Sequence, residues 1–271
     1  SGGVGLGYQQ TLGGPDGFVL YQLSVNAESE YRLSPSTWLS GVASYRFFDN
    51  YENFNYTGPS LLPRVRTFAR EYLTTSEFTV PNAQLTAVTD LAPNLFGMVY
   101  AGYLESMFAG AGGELLYRPF GRGLAVGVDL NYVQQRDFDQ GVGLRDYRVL
   151  TGHASLYWRT GWEGVLASVK AGRYLAKDVG ITVDMSRQFP NGVEMGAYAT
   201  VTDAGSAFGE GSFDKGIYVK VPFDLFLPKA TRSVASINWN PLTRDGGALL
   251  NRKYTLFNLT EQREPALFKR P

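Results

Sequence analysis

Several residue types that build common active sites are absent or scarce in this chain of 271 residues. It contains no cysteine and one histidine. The lack of cysteine excludes disulfide bonds, thiolate nucleophiles and zinc-thiolate sites, and a single histidine argues against a transition-metal centre. The chain also has no Walker loop, no dinucleotide-binding glycine motif and no cluster of residues at metal-ligand spacing. We therefore expect neither a cofactor nor a metal.

An excess of one charge and a long apolar run are missing as well. Lys plus Arg and Asp plus Glu both number 25, so the overall charge gives no indication of a nucleic-acid partner. No stretch approaches the roughly 18 apolar residues that a membrane helix needs. If the chain crosses a membrane, it must do so as a closed barrel, which pairs every backbone group. Residues 1–3 are not a secretory signal, so we expect any targeting peptide to be removed already or to belong to a longer precursor.

What the chain does contain is a succession of segments in which apolar and polar residues alternate. In one of them Val128 and Leu130 share one face and Asp129 lies on the other, because strand side chains change face at every residue. Most of these segments end in Gly, Pro, Asn or Asp, the residues of tight turns between antiparallel strands. The pattern predicts an up-and-down meander.

The polar face of this meander carries ionisable and amide side chains on nearly every predicted strand. A soluble barrel would place its apolar face inward, whereas a transmembrane barrel turns that face to lipid and keeps a polar lumen. The sequence favours an all-β, antiparallel up-and-down transmembrane barrel of about 12 strands, in a range of about 10 to 14. Representative residues of the predicted lumen face are Gln22, Asn26, Glu28, Asn82, Gln84, Asp90, Glu194 and Lys220.

The predicted organisation is one barrel over residues 1–259 and a charged tail over residues 260–271. A long connection after the third strand is expected to hold a short amphipathic helix near residues 60–72, because Leu62, Val65 and Tyr72 repeat at helical spacing. A Gly-rich turn is expected near residues 109–111, and a less secure last strand near residues 252–259.

Aromatic residues are abundant, with 17 Tyr, 17 Phe and 4 Trp, and several lie near predicted strand ends. Trp158 and Trp162 are examples. This placement is typical of the two aromatic girdles of a membrane barrel, although aromatic residues also favour strands in general.

Five segments of the chain carry a family resemblance. They are Leu62–Thr67, Gly102–Phe120, Gly127–Phe138, Thr151–His153 and Trp239–Gly247. They resemble the YjbH-like family of outer-membrane proteins, which are encoded with exopolysaccharide and capsule secretion machinery. Members are much longer than this chain, so the resemblance implies the C-terminal barrel portion of a longer polypeptide.

The same resemblance implies a role in exporting or assembling a secreted polysaccharide in a Gram-negative outer membrane. The partners it implies are periplasmic proteins or lipoproteins of the same secretion system, besides outer-membrane lipid and the polysaccharide. It supplies no catalytic residues. Barrels of this kind often end on an aromatic residue, whereas here a charged tail follows Leu259, as expected of an extra periplasmic segment or of a fragment.

Charged residues of the predicted lumen face are expected to pair with one another, because an unpaired ion in a poorly hydrated lumen is costly. Such pairing would occlude a bore of about 12 strands. Two carboxylates among them, Glu105 and Glu114, are also the kind of pair that hydrolyses glycosidic bonds, but we favour the structural interpretation. The predicted network comprises Glu105, Glu114, Arg118, Asp129, His153, Arg159 and Lys170.

His153 and Ser155 share one strand face, a spacing that brings an imidazole near a hydroxyl and that outer-membrane phospholipase A also uses. Nucleophilic catalysis needs a third, orienting group, and an enzyme acting on lipid would need the pair to face lipid. We expect the pair to face the lumen instead and to hydrogen-bond there. A lipid-modifying hydrolase built on these residues and a soluble ligand-binding barrel are the alternatives to a non-enzymatic secretion component.

Contact with polysaccharide is expected in the long connection, where Asn and aromatic side chains alternate. Sugars offer hydroxyl groups to amides and C–H faces to aromatic rings. The predicted contact residues are Asn53, Phe54, Asn55, Tyr56 and Arg64.

Overall fold

Thirteen strands form a single antiparallel sheet in the computed structural model, which describes residues 2–14, 17–55, 57, 60–208, 213–222, 234–239 and 244–261. Each strand pairs with its neighbours in sequence. The strands are β1 (Gly2–Gly14), β2 (Gly17–Ser34), β3 (Thr37–Asp49), β4 (Phe78–Ala92), β5 (Leu95–Tyr103), β6 (Phe108–Tyr117), β7 (Leu124–Arg136), β8 (Leu144–Arg159), β9 (Val165–Arg173), β10 (Val179–Gln188), β11 (Glu194–Thr202), β12 (Asp214–Pro222) and β13 (Val234–Trp239). Cα atoms of β1 and β13 come within 8 Å of each other, so the sheet curls into a barrel. The predicted fold class is confirmed.

The apolar face of the sheet points outward. On β7, Val128 and Leu130 are 50% and 58% exposed, whereas Asp129 and Asn131 are 8% and 2% exposed. The same alternation of exposed apolar and covered polar residues runs along β8. The exterior is therefore the surface that suits lipid, and the polar groups line the lumen.

Exposed aromatic side chains lie near both ends of the barrel. Phe48 and Phe78 lie at the end that carries the β3–β4 connection, and Tyr117 and Trp158 lie at the other. Two such bands resemble the girdles of membrane barrels. We call the first end the α1 end, after the helix described below, and the second the opposite end.

One predicted turn is wrong. The chain reverses between β5 and β6 at residues 104–107, and the glycines expected to form the turn lie inside β6. Gly110 explains the difference, because a Cβ there would collide with the Tyr132 carbonyl oxygen of β7, and a Cβ on Gly112, two residues on, would lie 2.9 Å from the Tyr100 ring. These glycines leave room for lumen side chains, and Glu105 consequently lies in the turn rather than on a strand.

The helix of the long connection is shorter than predicted and lies further along the chain. Helix α1 covers Ala69–Thr74, and residues 60–68 are not helical. The backbone N–H groups of Val65, Arg66 and Thr67 all donate to the Asp245 carboxylate, 2.7 to 3.0 Å away. Donors held by an external carboxylate are not available for helical hydrogen bonds.

The predicted strand over residues 252–259 is wrong as well. Thr255 accepts a hydrogen bond from the Asn258 N–H and begins a short helix α2, Leu256–Leu259, which lies against lumen residues of β5 and β6. Its Leu256 and Phe257 are buried. The boundary placed at residue 259 thus falls within an inner stretch of chain, and residues 262–271 of the predicted tail lie outside the described residues.

Within the ranges given above, no helix combines the length and the apolar character needed to cross a bilayer.

Candidate functional site

Residues 244–261 lie inside the barrel and run from the α1 end to the opposite end. We call them the inner segment. Its start contacts the β3–β4 connection and the β9–β10 connection, where Leu175 N–H donates to Ala248 at 3.0 Å and Gly247 N–H donates to Asp178 at 2.8 Å. Its last residues contact Arg118, which follows β6, and Arg159, the final residue of β8. The site is therefore a lumen crossed by its own chain.

At the α1 end, the inner segment holds the long connection in place. Asp245 is buried and accepts three backbone N–H groups and the Thr67 hydroxyl, the last at 2.8 Å. Arg66 donates to both oxygens of Glu105, at 2.7 and 3.0 Å, and to the Leu249 carbonyl at 2.7 Å. The connection, the wall and the inner segment are thus joined by charge-assisted hydrogen bonds.

The long connection is also fastened to the end of β7. Arg136 is fully buried, and its guanidinium donates to backbone carbonyls of Val80, Glu105, Gln140 and Gly141. Tyr72 of α1 donates to the Arg136 carbonyl. Burial raises the pKa of Tyr72 above its ordinary value, so the hydroxyl keeps the proton that it donates.

At mid-lumen, Arg252 binds two wall carboxylates. Its Nη1 lies 2.7 Å from Glu114 Oε2, and its Nη2 lies 3.6 Å from Asp129 Oδ2. Nη1 also donates to the Tyr100 hydroxyl at 3.2 Å. All three charged side chains are less than one tenth exposed, so each ion is compensated by the others rather than by bulk water.

At the opposite end, aromatic and cationic groups hold the last part of the inner segment. The Phe257 ring stacks on Tyr157 at a centroid distance of 4.0 Å, and the Arg118 guanidinium lies 4.4 Å from the same ring. Arg118 also donates to the Phe257 carbonyl at 2.7 Å, and Arg159 pairs with Glu261. Phe257 is thus enclosed between wall side chains.

The predicted lumen charges lie around this segment, but the partners differ from those expected. Glu105 binds Arg66, Glu114 and Asp129 bind Arg252, and the backbone of the inner segment satisfies part of Arg118. Direct pairing between wall residues was the expectation, and these bridges run from the wall to inserted chain instead. Lys170 makes no ion pair within 4 Å with any described residue.

His153 and Ser155 both point into the lumen and are buried, as expected. The His153 ring meets Tyr174 edge-on at 4.8 Å, and its Nε2 has no hydrogen-bond partner among the described residues. No hydrogen bond joins it to Ser155 in the part of the chain that the structure describes. The geometry does not assemble a nucleophile and base facing lipid. Nor do the described residues contain a group of three or more His, Asp or Glu able to hold a metal.

The predicted polysaccharide contacts lie in the β3–β4 connection. Asn53 and Asn55 are exposed, and Phe54 lies 6.3 Å from the Tyr51 ring. Arg64 packs on Phe68, and its carbonyl accepts the Gln135 amide at 2.8 Å. Tyr56 lies outside the described residues.

Sequence reasoning missed Arg252, Asp245, Arg66 and Arg136 as organising residues. A signal for three of them was present, because Arg136 lies in Gly127–Phe138 and Arg66 and Asp245 lie in the two outermost segments that carry the family resemblance. The structure brings those two segments into direct contact.

Comparison with known proteins adds two kinds of finding. A family model described as exopolysaccharide biosynthesis protein YbjH matches residues 1–262. The chain is 44% identical over 262 residues to the uncharacterized lipoprotein YjbH of Escherichia coli K12, covering 94% of this chain and 37% of that protein. It therefore spans about a third of the length of this relative.

Solved structures give weaker similarities. Salmonella typhi OmpF, in a complex with daunomycin, is 11% identical, with 93% of each chain covered and a TM-score of 0.45. OmpT, an outer-membrane protein of Vibrio cholerae, is 12% identical, with 81% of this chain and 80% of that chain covered and a TM-score of 0.33.

Proposed function

Because this chain belongs to the YjbH family of exopolysaccharide biosynthesis proteins, we propose that it is an outer-membrane barrel that takes part in exopolysaccharide or capsule secretion. The apolar exterior supports the membrane position, because water is a poor solvent for a barrel whose outward face is Val, Leu and aromatic residues. The partners we propose are outer-membrane lipid, the polysaccharide, and periplasmic proteins or lipoproteins of a secretion system.

The observation that carries the mechanism is the inner segment. A lumen crossed by its own chain from end to end, and bridged to the wall by Arg252, is poorly suited to be an open pore. The barrel then acts as a scaffold or anchor. The polysaccharide passes through a partner or through a gap formed with the rest of the longer polypeptide.

The proposed role is non-enzymatic. His153 and Ser155 face the lumen and not lipid. Glu114 is 5% exposed and bound to Arg252 at 2.7 Å, so a sugar has no open path to its carboxyl group.

Detergent extraction tests the membrane position. We expect the protein to stay with the membrane fraction until detergent is added, and to migrate faster on a gel when unheated than when boiled. Protein that remains soluble without detergent would rule out this position and favour a soluble ligand-binding barrel.

Planar-bilayer recordings test the plugged lumen. The wild-type barrel should be nearly silent, whereas Glu114→Ala, Arg118→Ala and Arg252→Ala should show openings, since each removes a contact between wall and inner segment. Steady porin-like conductance of the wild type would contradict the plug. Deletion of the full-length gene, followed by measurement of secreted polysaccharide, tests the cellular role.

A further inference from the structure

A polar cleft opens at the α1 end of the lumen, and neither Arg252 nor the carboxylates that it binds line it. It has a volume of about 480 Å³ and lies between the lumen faces of β1 to β4 and the residues around α1. Its volume falls within the range of about 300 to 1,000 Å³ that is common for small-molecule sites. We call it the mouth cleft.

The wall of the mouth cleft is lined mainly by neutral amides and hydroxyls. Asn26 Oδ1 accepts the hydroxyls of Ser24 and Ser44, at 3.1 and 2.7 Å. Gln22 Nε2 donates to Gln9 Oε1 at 2.9 Å. These bonds fix the orientation of the amides.

In each of these amides, either the nitrogen or the oxygen is left for a further partner. The Asn26 Nδ2 and Gln9 Nε2 donors and the Gln22 Oε1 acceptor have no protein partner among the residues that the structure describes. Donors and acceptors thus stand side by side on the cleft wall. A polyhydroxylated ligand satisfies both kinds at once, because each hydroxyl donates one hydrogen bond and accepts others.

The backbone around the mouth cleft is irregular. The β2–β3 register shifts between Leu23 and Ser24, and the β3–β4 register shifts between Val42 and Ser44, where β4 carries Pro81. Such bulges re-aim side chains and recur next to binding sites. Gly7 faces Asn26 at the point where a Cβ would collide with the Asn26 amide, so its absence gives that amide room.

The charges of the mouth cleft favour a neutral ligand over a polyanion. Its one arginine, Arg46, pairs with Asp49 at 3.2 Å and lies 5.2 Å from the Tyr51 ring. Glu77, also on the lining, is exposed and pairs with no described cation. An acidic glycan would meet that carboxylate without an uncommitted cation to offset it.

We propose that the mouth cleft binds a short stretch of neutral, hydroxyl-rich glycan through Asn26, Gln22 and Gln9. The proposal rests on the proposed function for the source of the glycan. Because Arg46 contacts Tyr51, the cleft adjoins the connection where Asn53 was predicted to touch polysaccharide. The site lies in the cleft and not on that connection.

The test uses the whole chain in a detergent without a sugar headgroup. The probes are neutral hexasaccharides of glucose and galactose, a hexagalacturonate, and the exopolysaccharide purified from the source strain, followed by saturation-transfer NMR and calorimetry. Asn26→Asp keeps the oxygen that accepts Ser24 and Ser44 and replaces the free donor with an acceptor. Asn191→Asp makes the same chemical change in the exposed β10–β11 turn at the opposite end, keeps the oxygen that accepts the Val193 N–H, and is the matched control. Asn53→Asp tests the contact predicted on the β3–β4 connection.

We expect a neutral probe to bind the wild type, and Asn26→Asp to weaken binding by about tenfold, the effect of losing one well-placed hydrogen bond. Asn191→Asp should bind like the wild type. Equal binding by Asn26→Asp and wild type, a loss confined to Asn53→Asp, preference for hexagalacturonate, or binding of no probe by the wild type would overturn the proposal. A heat-dependent gel shift shows that each variant is folded.

Secretion in cells separates this inference from the proposed function. If deletion of the gene leaves secretion unchanged while Asn26→Asp weakens binding in detergent, the proposed function fails and the mouth cleft stands. If secretion requires the gene but Asn26→Asp alters neither binding nor secretion, the mouth cleft fails and the proposed function stands.

Discussion

Replacing Arg252 by Ala should release the inner segment from the wall. The substitution removes the only cationic side chain of the described residues that forms ion pairs with both Glu114 and Asp129. Those carboxylates are 3% and 8% exposed, so two like charges remain in a poorly hydrated lumen without a counterion. Breaking a buried ion pair by removing one partner typically costs about 3 to 5 kcal/mol.

The neighbouring residue provides a matched control. Lys253→Ala changes the net charge by the same amount, but Lys253 is exposed and its Nζ lies 5.8 Å from the Tyr254 ring. An exposed charge of this kind contributes at most about 1 kcal/mol. In an Arg252→Ala background, Glu114→Gln should recover part of the lost stability, because it removes one of the two uncompensated charges.

Urea titration of the barrel in lipid vesicles measures the loss, and hydrogen exchange of residues 244–261 locates it. We expect Arg252→Ala to lower the unfolding free energy by about 3 kcal/mol or more, or to raise exchange of the inner segment while the wall stays protected. The second pattern would mean that the segment leaves the lumen before the wall unfolds. Equal behaviour of Arg252→Ala and Lys253→Ala in both measurements would refute the role of this ion cluster.

Three further tests address other parts of the structure. Val128→Arg places a charge on the lipid face and should cost about 2 to 4 kcal/mol in a urea titration, whereas Gln22→Arg has the mouth cleft to enter and should be milder; equal losses would count against the assigned faces. Ser155→Ala and His153→Ala should leave secretion intact, and a phospholipid hydrolysis activity that disappears in both variants would establish the hydrolase instead. Asp245→Ala should cost about 2 kcal/mol or more and speed proteolysis of the connection whose backbone it holds; wild-type protease resistance would show that other contacts suffice.

The wall of the barrel could be predicted from sequence because its rules are local. Alternation along β7 fixes which residues face outward, and Pro93-Asn94 forms the β4–β5 turn with Asn94 at a φ of 65°. Neither observation needs knowledge of a distant residue. The Gly-rich stretch within β6 misled the prediction because glycine serves turns and close packing equally well, and only the presence of Tyr100 opposite Gly112 decides between them.

The contents of the lumen could not be predicted in the same way. Alternation places Asn131 on the polar face but does not reveal that it accepts the Tyr100 hydroxyl and donates to Asp129, so that a larger side chain there would be overpacked. The residues that fill the lumen and the residues that they bind are far apart in the chain. Asp245 holds backbone groups about 180 positions away, and Arg252 meets Glu114 from 138 positions away.

Alternation alone does not separate a water-filled lumen from a plugged one, because both require polar side chains on the inner face. Water hydrates each wall charge separately, whereas a plug must supply a matched partner at the right depth. Arg252 and Glu261 of the inner segment supply such partners at two depths, and each meets a wall residue of opposite sign. Arg66 of the β3–β4 connection does the same at a third depth, for Glu105 in the β5–β6 turn. The sequence signal of a barrel plugged by its own chain would therefore have two parts. One is a polar lumen face, and the other is a short segment of complementary charges beyond the last strand. The plug leaves space beside the lumen face of β1 to β4, where the amides of the mouth cleft can meet a ligand.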